Sequence, residues 1–202
     1  MPEILNKEIT QEVMRLKGET RGLPIKQDGE YVSIMKGQEG VEKVEKELAE
    51  SGYPIKYREI KNLNFYPAGF RALSLLAIKK VFSFENKDIR KVCAFQPKTP
   101  MVAKLFMRYF YSLPKIMKKV QDMWRTYWTT GEMDFVEFNE KERFALLRIR
   151  KFDMHPVWCT CMEGYFASLA GVVLGKKEVN CEESQCPSRG HEYHEFLITW
   201  KD

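Results

Sequence analysis

The sequence lacks a long apolar run. No window of about 18 uninterrupted apolar residues occurs in its 202 residues, which predicts that no segment spans a membrane. The first residues alternate charged and apolar side chains without the apolar core of a signal sequence, and this favours a cytoplasmic protein. Internal repeats and low-complexity stretches are also missing, so we expect one compact domain.

A strong excess of charge of either sign is missing too. Thirty-three basic and 28 acidic residues leave a net charge of +5, and they are interspersed except in the basic stretch at 115–125. This pattern is more typical of a solvated helix face than of a nucleic-acid surface, and no helix-turn-helix, zinc-finger or RNA-binding signature is present. We therefore predict no direct contact with nucleic acid.

Histidine is scarce, with three residues, whereas cysteine occurs five times. An odd number of cysteines in a reducing compartment argues against a disulfide framework and for metal ligands or reactive thiols. Four of the five cysteines and all three histidines lie between residues 155 and 194. The groups that bind soft metal ions are thus concentrated near the end of the chain.

Helical spacing of apolar residues dominates the first two thirds of the sequence. Pro114 interrupts the last predicted helix, and a short extended piece at 31–35 precedes the second. The predicted helices lie at 3–17, 38–51, 67–83, 86–95 and 101–128.

An alternating pattern begins near residue 132. Residues 132–152 predict one hairpin, and the arms on either side of the turn "CEESQCPSRGHEYHEF" (181–196) predict another. Between them, "HPVWCTCMEGYFASLAGVVLG" predicts a helix whose small residues recur at three- and four-residue spacing and allow close packing. The predicted fold class is α+β, with an N-terminal helical layer packed on a four-stranded antiparallel sheet and one helix inserted.

The turn at 181–196 brings together candidate metal ligands. Glu183 and Cys186 stand at its start and His194 follows on the return strand, so the turn can fold all three towards one zinc ion. A fourth ligand comes from Cys159 or Cys161, which differ by about 200° around a helix and cannot both face one ion. Ordinary buried cysteines and strand-surface histidines are the alternative, but the grouping of these residues favours a metal.

Large aromatic residues recur at steps of three and four in the last predicted helix. They favour a pocket for a planar or hydrophobic ligand, with tyrosine hydroxyls and indole N–H groups to orient it. An aromatic core without a ligand explains the same spacing. The candidate lining residues are Phe106, Tyr109, Phe110, Trp124, Tyr127 and Trp128.

The segment "PVWCTCMEGYFASLAGVVLGKKEVNCEESQCPSRGHEYHEFLI" (156–198) resembles the 4-vinyl reductase domain, a hydrocarbon-binding module. His194 stands where that family has its last cysteine, which keeps a competent ligand. The resemblance covers roughly the last fifty residues. The positions that match the family's pattern are Cys159, Gly164, Glu183, Cys186, Gly190 and Phe196.

The resemblance implies a zinc site beside an apolar pocket and a homodimer. It also implies a fold shared with subunits of a vesicle-tethering complex and, more distantly, with haem-based nitric oxide sensors. On this interpretation residues 1–130 form a helical region for the ligand pocket and dimerisation, and residues 131–202 form the zinc-binding subdomain. The implied ligands are Cys159, Glu183, Cys186 and His194, with Cys161 as the alternate.

Two functions follow from these expectations. The first is a zinc-stabilised sensor or carrier for a hydrophobic or aromatic small molecule, acting through a separate effector protein. The second is a small metal-dependent enzyme or reductase accessory protein with a cyclic substrate. Catalysis is the less favoured because no decisive general base accompanies the predicted metal. Haem bound through His155 or His194 ranks below zinc because no haem signature is present.

Overall fold

A computed structural model describes residues 5–95 and 113–201 of the chain. Its helices are α1 (Lys7–Met14), α2 (Gly22–Glu50), α3 (Ala68–Val81), α4 (Asn86–Ala94), α5 (Leu113–Tyr127) and α6 (Pro156–Leu174). Its strands are β1 (Glu19–Arg21), β2 (Phe65–Pro67), β3 (Glu132–Asn139), β4 (Phe144–Arg150), β5 (Val179–Gln185) and β6 (His194–Trp200). Short 3₁₀ turns occupy Tyr57–Glu59 and Pro187–Arg189.

The main sheet has four antiparallel strands in the order β3-β4-β6-β5. Along β4 the buried residues are Ala145, Leu147 and Ile149, and their neighbours are more exposed, as a strand with one covered face requires. The register shifts between Glu183 and Gln185 in β5. The predicted α+β class, with a helical layer on a four-stranded antiparallel sheet and an inserted helix, is confirmed.

The helical layer is centred on α3, which is buried from Ala68 to Ile78 except for Phe70. A small sheet of β1 and β2 lies beside it, and Thr20 in β1 forms a bridge with Trp128 at the end of α5. The extended piece predicted at 31–35 is wrong, because these residues lie inside α2. The break in that helix comes later, at Gly37, which adopts a φ of 70°.

Helix α6 lies between α4 and the sheet. His155 caps its start by accepting a hydrogen bond from the Val157 N–H, Pro156 is its first residue, and Gly175 ends it in the left-handed region. At Gly164 a methyl group would overlap the carbonyl oxygen of Arg90, so glycine permits the close packing of α6 on α4. The predicted helix with small residues is present.

By length and composition α6 could cross a membrane, and among the described residues no other helix meets this criterion. Core helices of folded domains meet it as well. The buried residues of α6 lie in its first three turns, and Trp158 and Cys161 among them are fully covered. The helix therefore does not establish a membrane span.

A disulfide joins Cys93 in α4 to Cys161 in α6. The expectation that the cysteines form no disulfide is therefore wrong for this pair. The partners are separated by 68 residues, so only the packing of α4 on α6 brings their Cα atoms to 5.2 Å. Cys159, Cys181 and Cys186 remain free and buried.

Candidate metal centre

The first turn of α6 places Cys159 towards the sheet. Because residues two apart on a helix point about 200° from each other, Cys159 and Cys161 face opposite sides of α6. Cys161 meets α4 through the disulfide, whereas Cys159 meets Cys186 and His194. The choice between the two cysteines, open from the sequence, is decided in favour of Cys159 as the one near the other candidate ligands.

The other three candidate ligands come from β5, β6 and the turn between them. The irregularity after Glu183 lets β5 bend, and Cys186 then starts a 3₁₀ turn that ends at Gly190 with a φ of 86°. Only a residue tolerant of the left-handed region fits there easily. The chain returns at His194, the first residue of β6, with its side chain fully buried.

The donor atoms of Cys159, Glu183, Cys186 and His194 all lie within 4.8 Å of one another. We call these four residues the donor centre. The two sulfurs are 3.8 Å apart, and the Cys159 sulfur is 3.6 Å from Nδ1 of His194. Metal–sulfur bonds of about 2.3 Å and metal–nitrogen bonds of about 2.0 Å in a tetrahedron give sulfur–sulfur and sulfur–nitrogen edges of roughly 3.8 and 3.5 Å. These two edges match those of a four-coordinate site, whereas Nδ1 of His194 and Oε1 of Glu183, 2.8 Å apart, are in direct hydrogen-bond contact.

Further hydrogen bonds hold the donor centre in place. Nε2 of His194 donates to the carbonyl oxygen of Phe152 at 3.2 Å, which points Nδ1 at the other donors. The Ser188 hydroxyl lies 3.0 Å from the sulfur of Cys186, and Arg189 donates to the backbone carbonyl of Glu183 at 2.9 Å. Partners of this kind orient metal ligands and tune their basicity.

Burial and contacts within the donor centre shift the pKa values of all four of its residues. The hydrogen bond from Cys159, with those from His194 and Ser188, lowers the pKa of Cys186 to about 3. Burial alone would lower the pKa of His194, but hydrogen bonds to Cys186 and Glu183 raise it to about 9. The hydrogen bond to Cys186 and burial raise the pKa of the Cys159 thiol, and burial raises that of Glu183. These shifts favour a thiolate at Cys186 next to a protonated imidazole at His194.

Four aromatic rings form a compact cluster next to the donor centre. Trp124 of α5 and Trp128, the residue directly after α5, stack with centroids 5.6 Å apart, and both meet Phe152 edge-on. Trp158 packs against Phe152 at 4.8 Å and against the His194 ring at 5.6 Å. The sequence analysis missed Phe152 and Trp158. The signal for Trp158 was its position directly before Cys159.

The predicted pocket residues fall into two groups. Trp124 and Trp128 are buried and in contact with each other, while Tyr127 between them is partly buried. The other three lie outside the described residues: Phe106, Tyr109 and Phe110. Whether the six line a ligand pocket therefore stays a prediction.

Solved structures with the same fold are H-NOX domains. An H-NOX protein from S. oneidensis in its Fe(II)NO ligation state has a TM-score of 0.61 at 13% identity, covering 90% of this chain and 99% of that chain. A T. tengcongensis H-NOX mutant has a TM-score of 0.57 at 12% identity, over 90% and 98%. An oxygen-binding H-NOX domain related to soluble guanylate cyclases has 0.56 at 11% identity, over 90% and 95%. No family model and no curated protein matches the sequence.

These neighbours correct three predictions. The assignment to the 4-vinyl reductase family is wrong, because the structures that share the fold are H-NOX domains. The predicted zinc-stabilised sensor or carrier for a hydrophobic ligand is overturned with it, and the alternative of a small metal-dependent enzyme is not better supported. The predicted cofactor order, zinc ahead of haem, is also wrong, since haem is the group with which these H-NOX domains are described. At this level of identity the comparison establishes the fold alone.

The histidines of this chain do not fit a haem site as the structure places them. Histidine is a common axial ligand of haem iron, but the three imidazoles of this chain have other roles. His155 caps α6, His194 is fully buried in the donor centre, and His191 is exposed and bonded to the backbone of Cys186. The rings of the aromatic cluster pack on one another. The buried N–H of Trp158 has no acceptor in the described part of the chain, but it is a hydrogen-bond donor and therefore cannot ligate iron.

Proposed function

We propose that this chain is a signal-input domain with the H-NOX fold that responds to a thiophilic divalent metal ion bound at the donor centre. The observation that carries the proposal is the convergence of four donor atoms within 4.8 Å from α6, β5, the following turn and β6. Two thiolates and an imidazole select soft or borderline transition metals over calcium or magnesium.

Metal binding at the donor centre is coupled to the position of α6. The ion replaces the protons of Cys159 and His194, so that a bond to the metal substitutes for a hydrogen bond between thiol and thiolate. It thereby joins the start of α6 to the hairpin of β5 and β6. Burial of Cys159, Cys186 and His194 restricts access to small species. A change in the position of α6 would be transmitted to a separate effector protein or across a homodimer interface. Both partners are expected from the sequence.

Cobalt(II) titration tests the proposal, because thiolate–cobalt charge transfer and the ligand-field bands of tetrahedral cobalt report the ligand set directly. We expect about one cobalt per chain, with loss of these bands in Cys186→Ser and His194→Asn. The matched control is Cys181→Ser, since Cys181 is buried and free but lies outside the donor centre. Cobalt bands that survive both ligand substitutions would rule the donor centre out.

A haem-based gas sensor is the second candidate, and it is favoured by the fold neighbours, which are described with haem, NO or oxygen. The engaged histidines argue against it. Titration of the protein with haemin, followed through the Soret band, separates the two candidates. We expect no saturable one-to-one complex. A stoichiometric complex that loses its axial-ligand spectrum in a histidine variant would establish haem and displace the metal-centred proposal.

A further inference from the structure

The Cys93–Cys161 disulfide lies against a buried cation. Nη2 of Arg71 is 3.4 Å from the sulfur of Cys93 and 3.4 Å from the sulfur of Cys161. Arg71 is 5% exposed, and its other terminal nitrogen, Nη1, forms an ion pair with Asp28 at 2.8 Å. The guanidinium is thus held by Asp28 on one side and faces the two sulfurs on the other.

A disulfide that serves only as a crosslink does not require a neighbouring cation, because it is neutral. Negative charge develops on sulfur when the bond is attacked and a thiolate departs. A cation at this position stabilises the departing thiolate and the reduced state, which makes the disulfide easier to reduce. The Arg71 contact therefore favours the reduced state of this pair more than in a disulfide without a neighbouring cation.

The same disulfide is adjacent to the donor centre along α6. Cys161 follows Cys159 by two residues on the opposite side of the helix. The first turns of α6 therefore have a sulfur–sulfur contact on each side. On the side of α4 this contact is the Cys93–Cys161 disulfide, and on the side of the sheet it is the non-covalent contact between Cys159 and Cys186. Opening the disulfide removes the covalent link between α6 and α4 at a position two residues from a metal ligand.

We propose that Cys93 and Cys161 form a redox-active pair whose co-substrate is a dithiol, and that opening this pair weakens metal binding at the donor centre. The effect on metal binding rests on the proposed function. One thiolate of the dithiol attacks the sulfur of Cys93, the bond to Cys161 breaks, and the second thiolate displaces Cys93 from the mixed disulfide. Two electrons and two protons pass to the cysteines, and the dithiol leaves as its own disulfide. The reverse exchange, with an oxidised dithiol, restores the bond.

The redox half is tested on the full-length protein, equilibrated under native conditions in mixtures of reduced and oxidised dithiothreitol. Samples are quenched in acid, unfolded, alkylated and weighed by mass spectrometry. We expect a reversible change from three to five alkylated thiols as the fraction of reduced dithiol increases. Five thiols before any reduction would overturn the pair, as would a native protein that stays at three thiols while the unfolded protein reaches five.

The coupling is tested by cobalt titration of the same protein in its oxidised and reduced forms. We expect the reduced form to bind cobalt at least tenfold more weakly. A Cys93→Ser/Cys161→Ser double variant, which has neither the crosslink nor extra thiols, should bind like the reduced form, and Cys181→Ser should retain the difference. Equal affinities in both forms overturn the coupling. Absence of cobalt binding in both overturns the donor centre and the coupling, while the thiol count still decides the redox pair.

Discussion

Nδ1 of His194 lies 2.8 Å from Oε1 of Glu183, across a turn that separates them by 11 residues. Glu183 pairs in register with Phe196, and His194 stands two residues from Phe196 on the same face of β6. The register of one hairpin thus sets a carboxylate against an imidazole, and the hydrogen bond raises the pKa of His194 against the effect of burial.

Replacing Glu183 by glutamine should weaken metal binding without abolishing it. The amide keeps an oxygen donor at the same place but removes the charge that supports His194. We expect cobalt affinity to fall about 10- to 100-fold, the range found when supporting or weak ligands are lost. Glu182→Gln is the matched control, because Glu182 is the exposed neighbour on the other face of β5. An equal loss in both variants would contradict a specific role for Glu183.

Trp158→Ala should destabilise the fold strongly. Trp158 is fully buried and contacts Trp124, Trp128 and Phe152, so truncation leaves a large cavity that the neighbouring rings cannot fill. We expect the free energy of unfolding to decrease by about 3–5 kcal/mol in denaturant titrations. Leu63→Ala, at a side chain 80% exposed, should change it by less than about 0.5 kcal/mol. A loss below about 1 kcal/mol for Trp158→Ala would indicate that the cluster is loosely packed.

The contribution of Asp28 to the stability of the protein should decrease as the pH rises from about 4 to 6. Burial raises the pKa of Asp28 from its usual value near 3.8 to about 6, although Arg71 opposes the shift. The folded state therefore binds a proton in this window that the unfolded state has released. The contribution is fully present below pH 3.8 and is lost as the pH passes 6. A pKa difference of about two units corresponds to a change of roughly 3 kcal/mol in the free energy of unfolding.

Asp28→Asn isolates this contribution, because the amide does not titrate. Unfolding free energies measured at intervals of half a pH unit should show a shallower slope between pH 4 and 6 in the variant than in the wild type. The variant also loses the ion pair with Arg71, so the slope is compared rather than the absolute stability. Identical slopes would contradict an elevated pKa of Asp28.

Removing the crosslink between α4 and α6 should lower stability. In the chain-entropy description, closing a loop of 68 residues stabilises the folded state by roughly 4 kcal/mol. Cys93→Ser should therefore unfold at a lower denaturant concentration than the oxidised wild type. Reduced wild type is the matched control and should unfold close to the variant. A variant as stable as the oxidised protein would show that the bond contributes little.

Two glycines of α6 should respond differently to alanine. A methyl group at Gly164 meets the backbone of Arg90, which cannot move aside without separating α4 from α6. We expect Gly164→Ala to cost about 1–3 kcal/mol through overpacking. At Gly171 the nearest atom is the carbonyl oxygen of Lys176 at 3.2 Å, and the gain in helix propensity offsets the contact. Thermal melts of both variants compare them directly, and equal effects would contradict this account of helix packing.

The fold class could be predicted because the relevant signals are local. The change from helical to alternating spacing near residue 132 and the turn at 181–196 were sufficient for the two hairpins. Spacing was not sufficient at 31–35, where the chain stays helical up to the break at Gly37. Glycine marks a possible break, but the spacing of apolar residues does not show at which residue the break falls.

The candidate site was only partly accessible to sequence reasoning. Glu183, Cys186 and His194 are grouped by a single hairpin, so their approach could be anticipated. The partner of Cys161 could not, because Cys93 meets it through the packing of α4 on α6, which leaves no pattern in the sequence. The cofactor could not be predicted either. Chains that are 11–13% identical share this backbone, and the side chains that select a cofactor are not determined by the backbone.

The link between Cys93 and Cys161 also limits how far the molecule can be stretched. A chain pulled from its two ends can extend by at most about 3.4 Å per residue. While the bond is intact, the 68 residues between the two cysteines bear no load, which removes roughly 230 Å from the extended length. In a force-extension experiment the unfolded oxidised chain should thus have a shorter contour length than the reduced one. The hairpin of β3 and β4 lies inside the closed loop and should not bear the applied force.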